Sequence, residues 1–97
     1  MYQKAIEINP RLARAYYNLG NAYVQMNRQD EAAASYQKAV ELEPGYGAAH
    51  SNLAIIYFRR QEYGLAVEHF EKARESGFVN PTLLEAIGPY LSSEQRP

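Results

Sequence analysis

The residues of this 97-residue chain whose types could do chemistry are two histidines, a few serines and a scatter of carboxylates. His50 and His69 could act as proton carriers or metal ligands. His50, however, falls on an apolar stripe between Ala49 and Leu53, which predicts a partly buried structural imidazole. His69 stands beside Glu68 and Glu71, which predicts a solvated helix face. Neither has a second histidine three or four residues away, the spacing that puts two ligands on one helical face. Ser35, Ser51, Ser76, Ser92 and Ser93 lack the strand–turn–helix setting of a nucleophile elbow. Gly45-Tyr46-Gly47 is a turn without the G-K-[ST] of a phosphate loop. Glu41 and Glu43 lie on solvent faces with no partner geometry. Cysteine is absent, which removes disulfides, thiolate zinc sites and cysteine nucleophiles. No catalytic residue, metal site or cofactor is predicted, and the chain does not read as an enzyme.

Composition narrows the classes further. The chain is 46% hydrophobic and 22% charged, within the globular range. Ten Lys plus Arg against eleven Asp plus Glu give a net charge of −1. Arg59-Arg60 with Arg74 is too small a basic cluster for a nucleic-acid partner. The longest apolar run, Leu53 to Phe58, is far below the roughly 20 residues of a membrane helix, so no membrane insertion is expected. The compartment stays open, with the cytoplasm as the default.

Overlaying the chain on itself exposes the elements that would position any site. Tyr2-Gln3-Lys4-Ala5-Ile6-Glu7-Ile8-Asn9-Pro10 returns 34 residues later as Tyr36-Gln37-Lys38-Ala39-Val40-Glu41-Leu42-Glu43-Pro44. Phe70-Glu71-Lys72-Ala73-Arg74-Glu75 begins a third copy. Ala15-Tyr16-Tyr17-Asn18-Leu19-Gly20 returns as Ala49-His50-Ser51-Asn52-Leu53-Ala54, and faintly as Leu83-Leu84-Glu85-Ala86-Ile87-Gly88. Such a period marks a solenoid, whose units bury their apolar faces by stacking.

Within a unit the spacing is helical. Tyr16, Leu19, Gly20 and Tyr23 fall at i, i+3, i+4 and i+7, as do His50, Leu53, Ala54 and Tyr57. Helices are predicted at about 1–8, 13–26, 30–43, 47–60, 64–76 and 81–87. Asn27 suits a left-handed helix stop, Asp30 an N-cap and Pro81 a first helical position. Gly88-Pro89 reads as a second stop. Gly20, Ala54 and Gly88 are expected where paired helices cross, while Tyr23, Tyr36 and Tyr57 fill space between units.

The pattern Tyr16-x2-Leu19-Gly20-x2-Tyr23, Ala32-x3-Tyr36, Pro44 resembles the tetratricopeptide repeat. The second unit departs from it with His50, with Gln61 for the turn glycine and with Phe78 for the proline. The resemblance implies an all-α solenoid of antiparallel helix–turn–helix units with a short C-terminal capping helix. Its expected divisions are 1–12, the second helix of a truncated repeat; 13–46 and 47–80, complete units; 81–91, a partial capping unit; and 92–97, a disordered tail. A half unit at the start suggests the C-terminal part of a longer array.

In such a stack the first helix of each unit is implied to line a concave groove. On 13–26 its residues would be Arg14, Tyr17, Asn18, Asn21, Val24 and Gln25. On 47–60 they would be Ala48, Ser51, Asn52, Ile55, Phe58 and Arg59, and the last helix adds Thr82, Glu85 and Ala86. Asn18 and Asn52 recur with the period as a short amide ladder, which could hold a peptide backbone or only fix the stack. A carboxylate clamp known in the family would need cations at the places of Tyr17, Thr82 and Ala86. Only Asn21 and Asn52 match it, and the pattern is closer to the amide-lined arrays attached to protein O-glycosyltransferases. The implied function is a non-catalytic scaffold that takes a partner peptide or helix in the groove. The alternative is self-association through the exposed N-terminal helix with Tyr2 and Ile6.

Overall fold

The computed structural model describes residues 10–95. Five helices follow one another: α1 (Pro10–Gln25), α2 (Gln29–Leu42), α3 (Gly47–Arg59), α4 (Tyr63–Glu75) and α5 (Pro81–Gln95). The chain is an all-α helical repeat solenoid, and no strand occurs among the described residues. α1 packs on α2 and α3 on α4 as antiparallel pairs, α2 joins the first pair to the second, and α5 lies against α4. The helix expected over 1–8, with Tyr2 and Ile6, lies outside the described residues. None of the helices is long and apolar enough to cross a membrane, among the described residues.

The same local device ends three helices. Asn27, Gln61 and Gly77 have φ of 61°, 66° and 86°. After each, an amide reaches back five residues: Arg28 N–H to the Tyr23 carbonyl, Glu62 N–H to Tyr57 and Phe78 N–H to Ala73, at 2.8–2.9 Å. This left-handed cap satisfies carbonyls that the helix end would leave orphaned. Asn27 and Gln61 stand 34 residues apart, so the turn repeats with the unit.

Two expected boundaries are corrected. Asp30 does not cap α2: the cap position is Arg28, without a side-chain cap bond, and Asp30 sits in the first turn beside Glu31. The chain re-enters helix directly after the left-handed turn, so Asp30 acts through its charge near the helix N-terminus and its ion pair with Arg60. Nor does Gly88-Pro89 stop the last helix, which runs to Gln95, through the segment expected as an irregular tail from Ser92 onward. Gly88 has no Cβ to clash with the proline ring, so it tolerates the helical conformation before Pro89. Ile87 and Leu91, on either side of the proline, are both buried and hold the helix down. At its start α5 follows expectation, with Pro81 first and Asn80 Oδ1 accepting the Leu83 N–H at 3.1 Å.

The core runs between the helix pairs. Tyr36 and Phe70 occupy equivalent places on α2 and α4 and are each 1% exposed. Gly20 lets α1 approach Tyr36: a Cβ there would stand 2.6–2.9 Å from three ring atoms. Gly88, expected at a similar crossing, has open space around it, because α5 has no following helix to cross among the described residues. Leu19 also departs from expectation, at 42% exposed against 0% for its equivalent Leu53. Leu53 belongs to the buried cluster that joins α2, α3, α4 and α5.

Candidate functional site

Two clefts lie between the first helices of successive units. One, about 370 Å³, is lined by Asn21, Val24 and Gln25 from α1 and by Asn52, Ile55 and Arg59 from α3, with Tyr36 between them. The other, about 240 Å³, lies between Ile55, Phe58 and Arg59 of α3 and Thr82, Leu83 and Ala86 of α5. Ile55 and Arg59 line both, so the two adjoin along one face. The helical repeat puts them there: Asn21, Val24 and Gln25 become Ile55, Phe58 and Arg59 after 34 residues, and Asn52 becomes Ala86.

The lining changes character from one layer to the next. In the first cleft the Tyr36 hydroxyl donates to Asn21 Oδ1. Asn52 Nδ2 donates to both Asn21 Oδ1 and the Tyr36 oxygen, each at 3.2 Å. The hydroxyl thus has a donor and an acceptor, which suits its burial. Loss of solvent raises its pKa, and the Asn52 bond opposes that rise only in part. One period on, the three places hold Ile55, Phe70 and Ala86, with no polar atom among their side chains. Phe58 is fixed at the apolar end by an aromatic cluster that the sequence pattern did not single out. Its ring meets Tyr63 at 5.3 Å and Tyr90 at 5.8 Å, edge-on, while Tyr63 and Tyr90 stack at 4.3 Å.

The remaining expected groove residues are placed elsewhere. Arg14 lines a separate cleft with Arg11, Glu43 and Tyr46. Tyr17 packs between Tyr36 and Tyr46, at ring distances of 5.8 and 5.1 Å. Ser51 is 1% exposed, its Oγ buried without a protein partner, so it does not face the groove. Its place is that of Tyr17 one unit earlier, and the small side chain lets it sink into the helix contact. Asn18 is exposed and Asn52 is bonded to Asn21 and Tyr36, so the two recurring amides do not make a uniform ladder. Glu85 is exposed and lines neither cleft.

The histidines are corrected most. His69 is 6% exposed, not solvated, and its Nδ1 lies 3.0 Å from Nδ1 of His50, itself 3% exposed. His50 Nε2 stands 2.8 Å from the Pro44 carbonyl. A carbonyl only accepts, so His50 carries its proton on Nε2 and presents a lone pair at Nδ1; His69 must then donate from Nδ1. Burial lowers the pKa of His50, and burial together with the nearby His50 lowers that of His69 to about 4. Both rings are neutral at pH 7 and stack, His69 also against Tyr57 at 5.5 Å. The signal for this pair was the register: the only two histidines replace Tyr16 and Ser35 on paired helices. No group of three or more His, Cys, Asp or Glu with metal-holding geometry occurs among the described residues.

Two family models described as tetratricopeptide repeat match residues 13–46 and 48–76. Among solved structures the chain is similar to MamA, at 34% identity and a TM-score of 0.66, over 78% of this chain and 44% of that one. It is also similar to YrrB, a TPR protein with an unusual peptide-binding site, at 32% identity and a TM-score of 0.76. That match covers 98% of this chain and 49% of YrrB, so the chain spans less than half the length of either neighbour. No curated protein matches at a significant level.

Proposed function

The chain belongs to the tetratricopeptide repeat family of protein-interaction scaffolds, and from that premise we propose that it binds a partner peptide along α1, α3 and α5. The observation that carries the reading is the adjoining of the two clefts at Ile55 and Arg59, which makes one path across successive units. Of the two clefts, the one of about 240 Å³ falls below the roughly 300–1,000 Å³ of small-molecule pockets and the one of about 370 Å³ at its low end, and together they suit successive side chains of an extended segment. Asn21 and Asn52 keep unused donor and acceptor capacity for its backbone. The peptide-binding site named for YrrB supports the same class of ligand. In this reading the chain does no catalysis, holds no cofactor and takes no nucleic acid.

Random peptides displayed on phage and selected on the immobilised protein test it. Gln25→Trp with Ala86→Trp fills both clefts from exposed positions and should weaken captured peptides at least tenfold, with helical content unchanged. Equal affinity for this variant rejects the groove.

Self-association is a second reading, favoured by one observation. Leu12, Leu19 and Met26 are 43%, 42% and 54% exposed at seven-residue spacing on one side of α1 and its end. Light scattering over a concentration series decides: a strict monomer rejects it.

A further inference from the structure

The lining of the two clefts contains a single charge, among the described residues: the guanidinium of Arg59, on the wall they share. Arg59 is exposed and makes no ion pair among the described residues. Its neighbour Arg60 differs, being held by Asp30 and Glu62. No carboxylate of the clefts competes for Arg59, and Asn80 at the start of α5 brings the partial positive end of a helix to the same cleft.

Around this cation the chemistry is divided. On one side lies the bonded set Asn21, Tyr36 and Asn52; on the other, Ile55, Phe58, Leu83 and Ala86. A segment lying along the path therefore meets amides, then a lone cation, then an apolar cleft. Resting on the peptide reading above, we propose that the groove selects a segment in which an acidic residue adjoins a large apolar one. The carboxylate pairs with Arg59, and the apolar side chain enters the cleft between α3 and α5. A planar guanidinium can take a carboxylate through two parallel hydrogen bonds, which a neutral or basic residue cannot offer. A basic residue at this point would meet like charge with nothing to offset it.

The test is the phage selection carried out in parallel on the wild type, Arg59→Ala, Arg59→Glu and Ala86→Trp, with selected peptides resynthesised for titration. The wild type should enrich Asp or Glu next to Leu, Ile or Phe. Arg59→Ala should bind those peptides about 3–10-fold more weakly, the range for an exposed charge-assisted contact. Arg59→Glu should turn the preference to Lys or Arg at the same place, while Ala86→Trp should remove the apolar preference. Arg59 is exposed, so these variants keep the fold. Peptides that Gln25→Trp/Ala86→Trp weakens but that carry no acidic preference, or an Arg59→Glu selection still rich in acids, overturn the assignment and leave the groove standing. No enrichment over bare support, or peptides indifferent to filled clefts, overturns the groove and the assignment together.

Discussion

His50 and His69, 19 residues apart, face each other through their Nδ1 atoms at 3.0 Å inside the second unit. Each ring is explained by the other. An imidazole at the place of Tyr16 brings a buried polar edge to a helix contact, and an imidazole at the place of Ser35 satisfies it. The Pro44 carbonyl orders the pair by claiming the far nitrogen of His50, tying the inter-unit turn to both helices of the unit. A proton added to His50 would set N–H against N–H unless His69 changed tautomer.

That arrangement makes stability depend on acid. Both histidines have folded pKa values below the ordinary 6.5, His69 at about 4. The unfolded chain therefore takes up protons first, and stability present above pH 6.5 is lost as pH falls towards 4. At pH 4.5 the loss from His69 is about 2 kcal/mol. Thermal melts at pH 7.5 and 4.5 should show a smaller acid shift in His50→Tyr/His69→Ser, which installs the residues of the preceding unit. An equal shift in both proteins contradicts the pairing.

The close approach at Gly20 predicts opposite results at two helical glycines. Gly20→Ala pushes a methyl against Tyr36 and should destabilise by about 1–2 kcal/mol, overpacking outweighing the gain in helix propensity. Gly64→Ala meets open space on α4 and should stabilise by about 0.5–1 kcal/mol. Chemical denaturation of the two variants checks the contrast.

Gln61 holds a left-handed conformation, φ 66°, that glycine adopts without a Cβ clash. Gln61→Gly should raise stability by about 1 kcal/mol. The same change at Asn27, a residue more at ease there, should gain less. Urea midpoints of the pair measure the difference.

The polar layer should behave as a unit. Tyr36→Phe alone leaves Asn21 and Asn52 short of a partner and should destabilise by about 1 kcal/mol. Asn21→Ile, Tyr36→Phe and Asn52→Ala together copy the apolar layer one period on, and should destabilise by less than the sum of the three single changes. Additive losses would show that the three side chains act independently.

How far the sequence reached differs between turns, packing and groove. Asn27 and Pro81 were legible because a left-handed stop and a first helical position are local demands that few residue types meet. Asp30 and Gly88-Pro89 mislead for the complementary reason. Each has the local chemistry of a boundary, but the Arg28–Tyr23 bond and the burial of Ile87 and Leu91 decide where the helices start and end. Among groove candidates, Asn21, Val24, Gln25, Asn52, Ile55, Phe58 and Arg59 line the adjoining clefts. Arg14, Tyr17, Asn18 and Ser51 do not.

By itself the sequence determined the repeat, the helical class and the order of the helices, because a 34-residue period and apolar positions three and four apart are properties of chain register alone. Only the tertiary structure decided which side chains meet. The contacts of His50 with His69, of Asn52 with Asn21 and of Gly20 with Tyr36 depend on how closely and at what angle helices cross. A side chain on a helix flank faces solvent, a neighbour or a cleft according to that angle. The same rule separates Ser51, sunk in a helix contact, from Arg59, the single charge lining the adjoining clefts among the described residues.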